Sequence, residues 1–138
     1  MKLNRLIENQ YDPNSCYLKC DCGCGIVEFN YYIGEDREYY SLDFYGYIKH
    51  SRNYKYSYFE FSDKDEVFKF IDSLVNDNVK HDLFFDREFQ ENSSYLEIDK
   101  SDPYISIQKK RKGGFIWDIC VLNNRVEEFT NLIKEIIK

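Results

Sequence analysis

From Ile26 to Ile33 the apolar positions Val27, Phe29, Tyr31 and Ile33 alternate with Glu28, Asn30 and Tyr32, the period-two pattern of a strand with one buried face. Residues 34–38 read as a turn. Tyr40, Leu42, Phe44 and Ile48 then alternate with Tyr39, Ser41, Asp43, Tyr45, Tyr47 and Lys49, which predicts the second strand of a hairpin. A turn at 51–53 leads into a third strand over 54–61, with Phe59 and Phe61 on one face and Tyr54, Tyr56 and Tyr58 on the other. Ser62 stands at an N-cap position ahead of Asp63, Asp65 and Glu66, acids that suit the positive end of a helix dipole. Val67, Phe70, Ile71, Leu74 and Val75 follow at helical spacing, and Asn76-Asp77-Asn78 can close the helix.

The stretch 79–93 is polar apart from Leu83, Phe84, Phe85 and Phe89, and reads as a connector with a short element tucked onto the core. Three more strands are predicted over 95–98, 104–110 and 115–122, separated by an Asp102-Pro103 step and by Arg111-Lys112-Gly113-Gly114. Asn123 or Asn124 can cap a last helix, with Glu127 three residues after Asn124 as in a capping box, and Val126, Phe129, Ile133, Ile136 and Ile137 form its apolar stripe. The second half thus repeats the plan of the first. The expectation is an α+β fold: a single domain, residues 1–138, of two tandem βββα units with antiparallel sheets packed on two amphipathic helices. The halves span about 16–78 and 94–138, joined by the connector 79–93.

A chain of 138 residues with 43% hydrophobic and 18% aromatic residues can bury one substantial core and is unlike a disordered segment. The opening residues lack the apolar run of a secretory leader, and no stretch approaches the roughly 20 apolar residues of a membrane span. Five cysteines, four of them crowded between Cys16 and Cys24, do not resemble a disulfide framework and point to a reducing, cytoplasmic setting. A net charge of −6 disfavours long non-specific contact with phosphates or anionic lipid, so no membrane partner is expected.

The cysteine cluster raises metal chemistry. Cys16, Cys20, Cys22 and Cys24 carry enough thiolates for a tetrahedral zinc. In an extended strand, however, Cys20, Cys22 and Cys24 lie in roughly 6.6 Å steps, so the outer pair is roughly 13 Å apart without a bend. The face of Cys20, Cys22 and Cys24 also continues into Ile26 and Glu28 rather than into Val27 and Phe29, which predicts a turn or bulge at Gly23 or Gly25. Buried structural cysteines are the leading reading, with zinc as the one candidate cofactor.

If Leu42, Phe44, Phe59 and Phe61 face the helix, then Tyr39, Tyr45, Tyr47, Tyr54, Tyr56 and Tyr58 share the opposite face. Such a platform is expected to be covered by the other half of the molecule or by a symmetric copy in a homo-oligomer; left open, it suits a protein interface, where Tyr is favoured, or the stacking of unpaired bases. Lys109, Lys110, Arg111 and Lys112, with Trp117 just beyond, form the one basic run and are the candidate phosphate contacts of the nucleic-acid reading. The order of elements resembles single-strand nucleic-acid-binding folds of the Whirly and PUR-repeat kind, and that resemblance implies sheets that present aromatics to bases while helices cover the other side. Catalysis has little support. Both histidines, His50 and His81, fall in predicted loops, and no nucleophile, base and orienter set or phosphate-cradling glycine loop is present. The leading expectation is a non-enzymatic protein-binding module, an inhibitor, adaptor or immunity-like factor. The alternatives are a single-stranded nucleic-acid binder and a small zinc-binding domain.

Overall fold

The computed structural model describes residues 13–21, 25–47, 54–87, 94–111 and 117–138. Among the described residues, two four-stranded antiparallel sheets are each followed by a helix. The first sheet comprises β1 (Ser15–Lys19), β2 (Gly25–Ile33), β3 (Glu38–Tyr47) and β4 (Tyr54–Glu60), and α1 (Lys64–Val75) follows it. The second comprises β5 (His81–Phe85), β6 (Ser94–Ser101), β7 (Tyr104–Arg111) and β8 (Trp117–Leu122). A 3-10 turn at Asn123–Arg125 then leads into α2 (Val126–Ile136). Each sheet is a meander in which sequence neighbours pair.

The fold class is therefore α+β, with four strands in each sheet rather than the three expected. The additional strands are β1 and β5. In β1, Cys16 and Leu18 point into the core opposite Phe29 and Val27 of β2. The chain reverses between Asp21 and Gly25, where the Cys20 N–H donates to the Gly25 carbonyl at 2.9 Å. This reversal is the expected break in alternation: inward positions are even-numbered before it and odd-numbered after it. Cys16 lies in the first strand of this hairpin and Cys20 at its exit, while Cys22 and Cys24 lie outside the described residues. Strand β5 lies inside the expected connector as an edge strand, and of Leu83, Phe84 and Phe85 only Phe84 is buried.

Asp63, not Ser62, caps α1, accepting from the Glu66 N–H at 2.9 Å. The Asn76 N–H closes the other end on the Asp72 carbonyl. Val75 stays exposed while Ser73 takes a buried position, its hydroxyl donating to Asp82 Oδ2 at 2.5 Å. Helix α2 does not use the expected asparagine cap. Residues Asn123–Arg125 form the 3-10 turn instead, and Arg125 at the helix start makes no side-chain capping bond.

The apolar faces of both sheets and both helices merge into one core. Phe61 of the first half, Phe70 of α1 and Phe84 of β5 stand in series with ring centroids 5.3 and 5.9 Å apart, an aromatic line across the halves. Each such pair contributes roughly 0.5–1.5 kcal/mol beyond its area burial. The helices contact each other, and each also reaches the other half: α2 packs on β1, and α1 packs on β5. The free end of β1 extends the union, since the Asp21 N–H donates to the Cys120 carbonyl and Asp21 pairs with Arg125. No helix among the described residues is long and apolar enough to cross a membrane.

Candidate functional site: an acid-floored tyrosine basin

With Leu42, Phe44, Phe59 and Phe61 committed to the core, strand alternation drives the intervening residues of the first sheet to its other face. Register then sets their neighbours. Glu28 lies opposite Asp43, Asn30 opposite Ser41, and Tyr32 opposite Tyr39 across β2 and β3. Asp43 lies opposite Tyr58, and Tyr45 opposite Tyr56, across β3 and β4.

This face divides into two parts. At one end Tyr45 is 1% exposed and packs with Ile26 and Tyr17 in a small second cluster. From Tyr56, directly across from Tyr45, to Tyr32 and Tyr39 the face is open: Tyr32, Tyr56 and Tyr58 are 53%, 39% and 49% exposed and, with Tyr39, surround a concavity of about 540 Å³. Glu28, Asp43 and Glu60 line it.

Like charges directly opposite on a sheet repel, so the Glu28 and Asp43 pair needs donors. The Asn30 side-chain amide donates to both, at 2.9 Å to Glu28 Oε1 and 2.5 Å to Asp43 Oδ2, while Ser15 Oγ donates to Asn30 Oδ1 at 2.5 Å. The Tyr56 hydroxyl donates to Asp43 Oδ1 at 3.0 Å. Partial burial first, and then the Asp43 charge, push the Tyr56 phenol above its ordinary pKa, so it remains a donor through the neutral range.

A cation already lies at the rim. The Arg37 guanidinium sits 3.9 Å from the centroid of Tyr39 and 2.5 Å from Glu60 Oε2. Tyr39 in turn stacks on Tyr32 with centroids 4.6 Å apart and planes 6° from parallel. The hydrogen bond to Glu60, more than any other contact, raises the Arg37 pKa and holds the guanidinium charged. The basin therefore offers carboxylates below and aromatic faces at the sides, a combination that attracts cations both by direct charge and through the ring quadrupoles.

Of the six expected platform tyrosines, Tyr39, Tyr56 and Tyr58 line the basin, and Tyr45 shares their face but is buried. Tyr47 and Tyr54 pair with each other at the sheet end, and their side chains lie outside the described residues. Tyr32, Glu28 and Asn30 were not singled out in the sequence. The signal was present in the hairpin register, which sets Tyr32 beside Tyr39 once the turn at 34–37 is fixed.

The other candidates are scattered. Lys109 is buried, with its ammonium 2.6 Å from Ser57 Oγ, whereas Lys110 lies on the opposite face of the second sheet and pairs with Glu97. Trp117 is partly buried, with the Lys109 ammonium 5.6 Å from its ring centroid. Lys112 and the Arg111 side chain lie outside the described residues. Cys16 and Cys20 both face the core from the two ends of a five-residue stretch, roughly 13 Å apart by strand rise. Cys20 Sγ donates to the Cys120 carbonyl at 3.4 Å, and burial pushes the Cys16 thiol up to about 12. Cys22, Cys24 and His50 lie outside the described residues.

Compared with protein families, curated proteins and solved structures, the chain matches none.

Proposed function

We propose that the chain is a non-enzymatic protein-binding module that captures a basic segment of its partner in the tyrosine basin of the first sheet. The observation that carries this reading is the joining of Glu28, Asp43 and Glu60 to the rings of Tyr32, Tyr39, Tyr56 and Tyr58 in one open concavity. An arginine or lysine from a partner would meet carboxylates at its head and aromatic faces along its stem, as Arg37 does at the rim. The net charge of −6 adds long-range attraction for a basic partner.

The single-strand nucleic-acid reading draws on the same exposed rings, but phosphates would approach three carboxylates. The basic run expected to grip them is divided between the core and the far face, with Lys109 inside and Lys110 outside. Protein recognition fits the geometry better.

The test is a site-resolved titration. A short arginine-containing peptide added to the isotopically labelled protein should shift the signals of Tyr32, Tyr39, Tyr56 and Tyr58, and an acidic peptide of equal length should not. Asp43→Asn and Tyr58→Ser should each weaken the response while leaving thermal melting close to wild type. Shifts elsewhere, or equal response in both variants, would exclude the basin. A labelled single strand that binds at low salt and is lost in Tyr58→Ser would transfer the site to nucleic acid.

A further inference from the structure

The second sheet carries a different group of side chains on its solvent face. His81 in β5 lies directly opposite Asp99 in β6, and Glu97 is two residues from Asp99 on the same face. One ligand atom from each of the three residues falls within 4.8 Å of the others. His81 Nε2 is 2.7 Å from Glu97 Oε2. Lys110 donates to the second oxygen of the same carboxylate, Oε1, which turns Oε2 toward the imidazole.

We propose that His81, Glu97 and Asp99 form a binding site for a divalent first-row transition ion such as zinc. One imidazole nitrogen and two carboxylate oxygens make a borderline donor set that suits zinc better than the all-oxygen environments preferred by calcium and magnesium. Ligand atoms at normal zinc bond lengths stand roughly 3.3 Å apart in a tetrahedron, so side-chain torsions that change the present separations by up to about 1.5 Å give a coordination shell. The strands supply the rigidity. A direct cross-strand pair and its diagonal neighbour are fixed by the β5 and β6 ladder, and only side-chain torsions remain to adjust. Lys110 acts on the carboxylate that ligates, the outer-shell position that orients metal ligands. Because β5 is an edge strand and the His81 side chain is 49% exposed, the ion has an open approach and water can complete its shell.

This site is separate from the tyrosine basin and from the cysteine segment, whose described members Cys16 and Cys20 face the core. The two would respond to different variants.

Zinc chloride titrated into the isotopically labelled full chain is the experiment. The chain has two histidines, so the ring signals of His81 can be assigned by comparison with His81→Ala. The expected result is a saturable shift of the His81 ring signals and of the Glu97 and Asp99 amides. His81→Ala and Asp99→Asn should each weaken zinc affinity roughly tenfold or more, while their metal-free melting stays close to wild type, as expected for exposed positions. A variant with Cys22 and Cys24 both changed to serine should keep the response. His81 ring signals that do not move up to millimolar zinc would overturn the proposal. Binding that persists unchanged in His81→Ala and disappears in the double serine variant would overturn it too.

Discussion

Lys109 of β7 reaches across the interior and donates from its ammonium to the hydroxyl of Ser57 in β4, 2.6 Å away, so a charge from the second half is anchored on the inner face of the first sheet. The contact ties together two strands that are 52 residues apart in sequence. It also explains how a lysine from the one basic run comes to be 4% exposed. Its stem leaves the sheet between its cross-strand partners Leu96 and Trp117, and its head finds oxygen on the other side.

Lys109 should accordingly behave as a core residue. Lys109→Ala removes a long buried stem and its hydrogen bond and should cost about 2–4 kcal/mol in urea unfolding, followed by the fluorescence of Trp117, the chain's single tryptophan. Lys109→Met keeps most of the volume without the charge and should recover at least half of that loss. If alanine is as stable as wild type, the tie contributes nothing to stability.

The crosswise helix packing leads to a second expectation. Helix α2 covers β1, where Cys16 and Leu18 are buried, and α1 packs on β5. Cutting between the halves would expose apolar surface on both sheets at once. Fragments 1–78 and 79–138 should each be unfolded or aggregated alone, and their mixture should regain the circular dichroism and dispersed amide spectrum of the intact chain. A well-dispersed spectrum from either fragment alone would show that the halves fold independently.

The regular elements were legible in sequence where burial was one-sided and continuous. Val27, Phe29, Leu42, Phe44, Phe59 and Phe61 announced three strands because apolar side chains recur at every second position on the face turned to the core. Strand β1 was hidden because its two inward residues, Cys16 and Leu18, sit in a cluster whose thiols suggest chemistry before packing. Strand β5 was hidden because Leu83, Phe84 and Phe85 are consecutive, and an edge strand with one buried residue gives no alternation to read. The tyrosine face was legible as a face but not as a site. Which tyrosines remain open depends on their cross-strand neighbours: Tyr45 is buried with Ile26 and Tyr17, whereas Tyr58 stays exposed. The acidic floor required register as well, because Glu28 and Asp43 are 15 residues apart in sequence and meet only through the hairpin. His81, read as a loop residue, belongs to an edge strand for the same reason β5 was missed.

Gly25 opens β2 opposite Gly46, and a Cβ on it would fall inside the contact distance of the Tyr45 carbonyl oxygen, with the Gly46 backbone and Ile119 Cδ1 close behind. The obstacle is backbone, which cannot swing aside as a side-chain tip can. Gly25→Ala should therefore cost roughly 1–3 kcal/mol through forced separation of β2 and β3. Alanine at Ser41, on the same sheet but not at a close backbone approach, is the matched control and should change stability by less than about 1 kcal/mol. Equal effects at the two positions would remove the steric account.

Alkaline conditions should destabilise the fold, and Cys16 should account for an identifiable part of the loss. Burial, with a smaller contribution from the Glu28 charge, pushes the Cys16 thiol up to about 12 from an ordinary value near 9. Tyr40 and Tyr56 are likewise raised, in each case chiefly by burial and with further contributions from Glu38 and Asp43 respectively. For all three the folded state favours the protonated, neutral form. Above about pH 9 the unfolded chain gives up these protons first and binds fewer than the native state, so the free energy of unfolding falls as pH rises. The stabilisation is fully present below the unfolded-state pKa and is lost progressively toward the folded-state value. For the buried thiol the limiting slope is about 1.4 kcal/mol per pH unit between about pH 9 and 12. Urea unfolding of the wild type at pH 8, 9 and 10.5 should show this decline. Cys16→Ala should start from a lower stability at pH 8 and then decline less steeply, by up to about one proton's worth of slope. A thiol reagent at pH 8 should leave Cys16 unmodified until urea unfolds the chain. Parallel pH dependences in wild type and Cys16→Ala, or rapid labelling of Cys16 in the native protein, would contradict a buried, neutral thiol in β1.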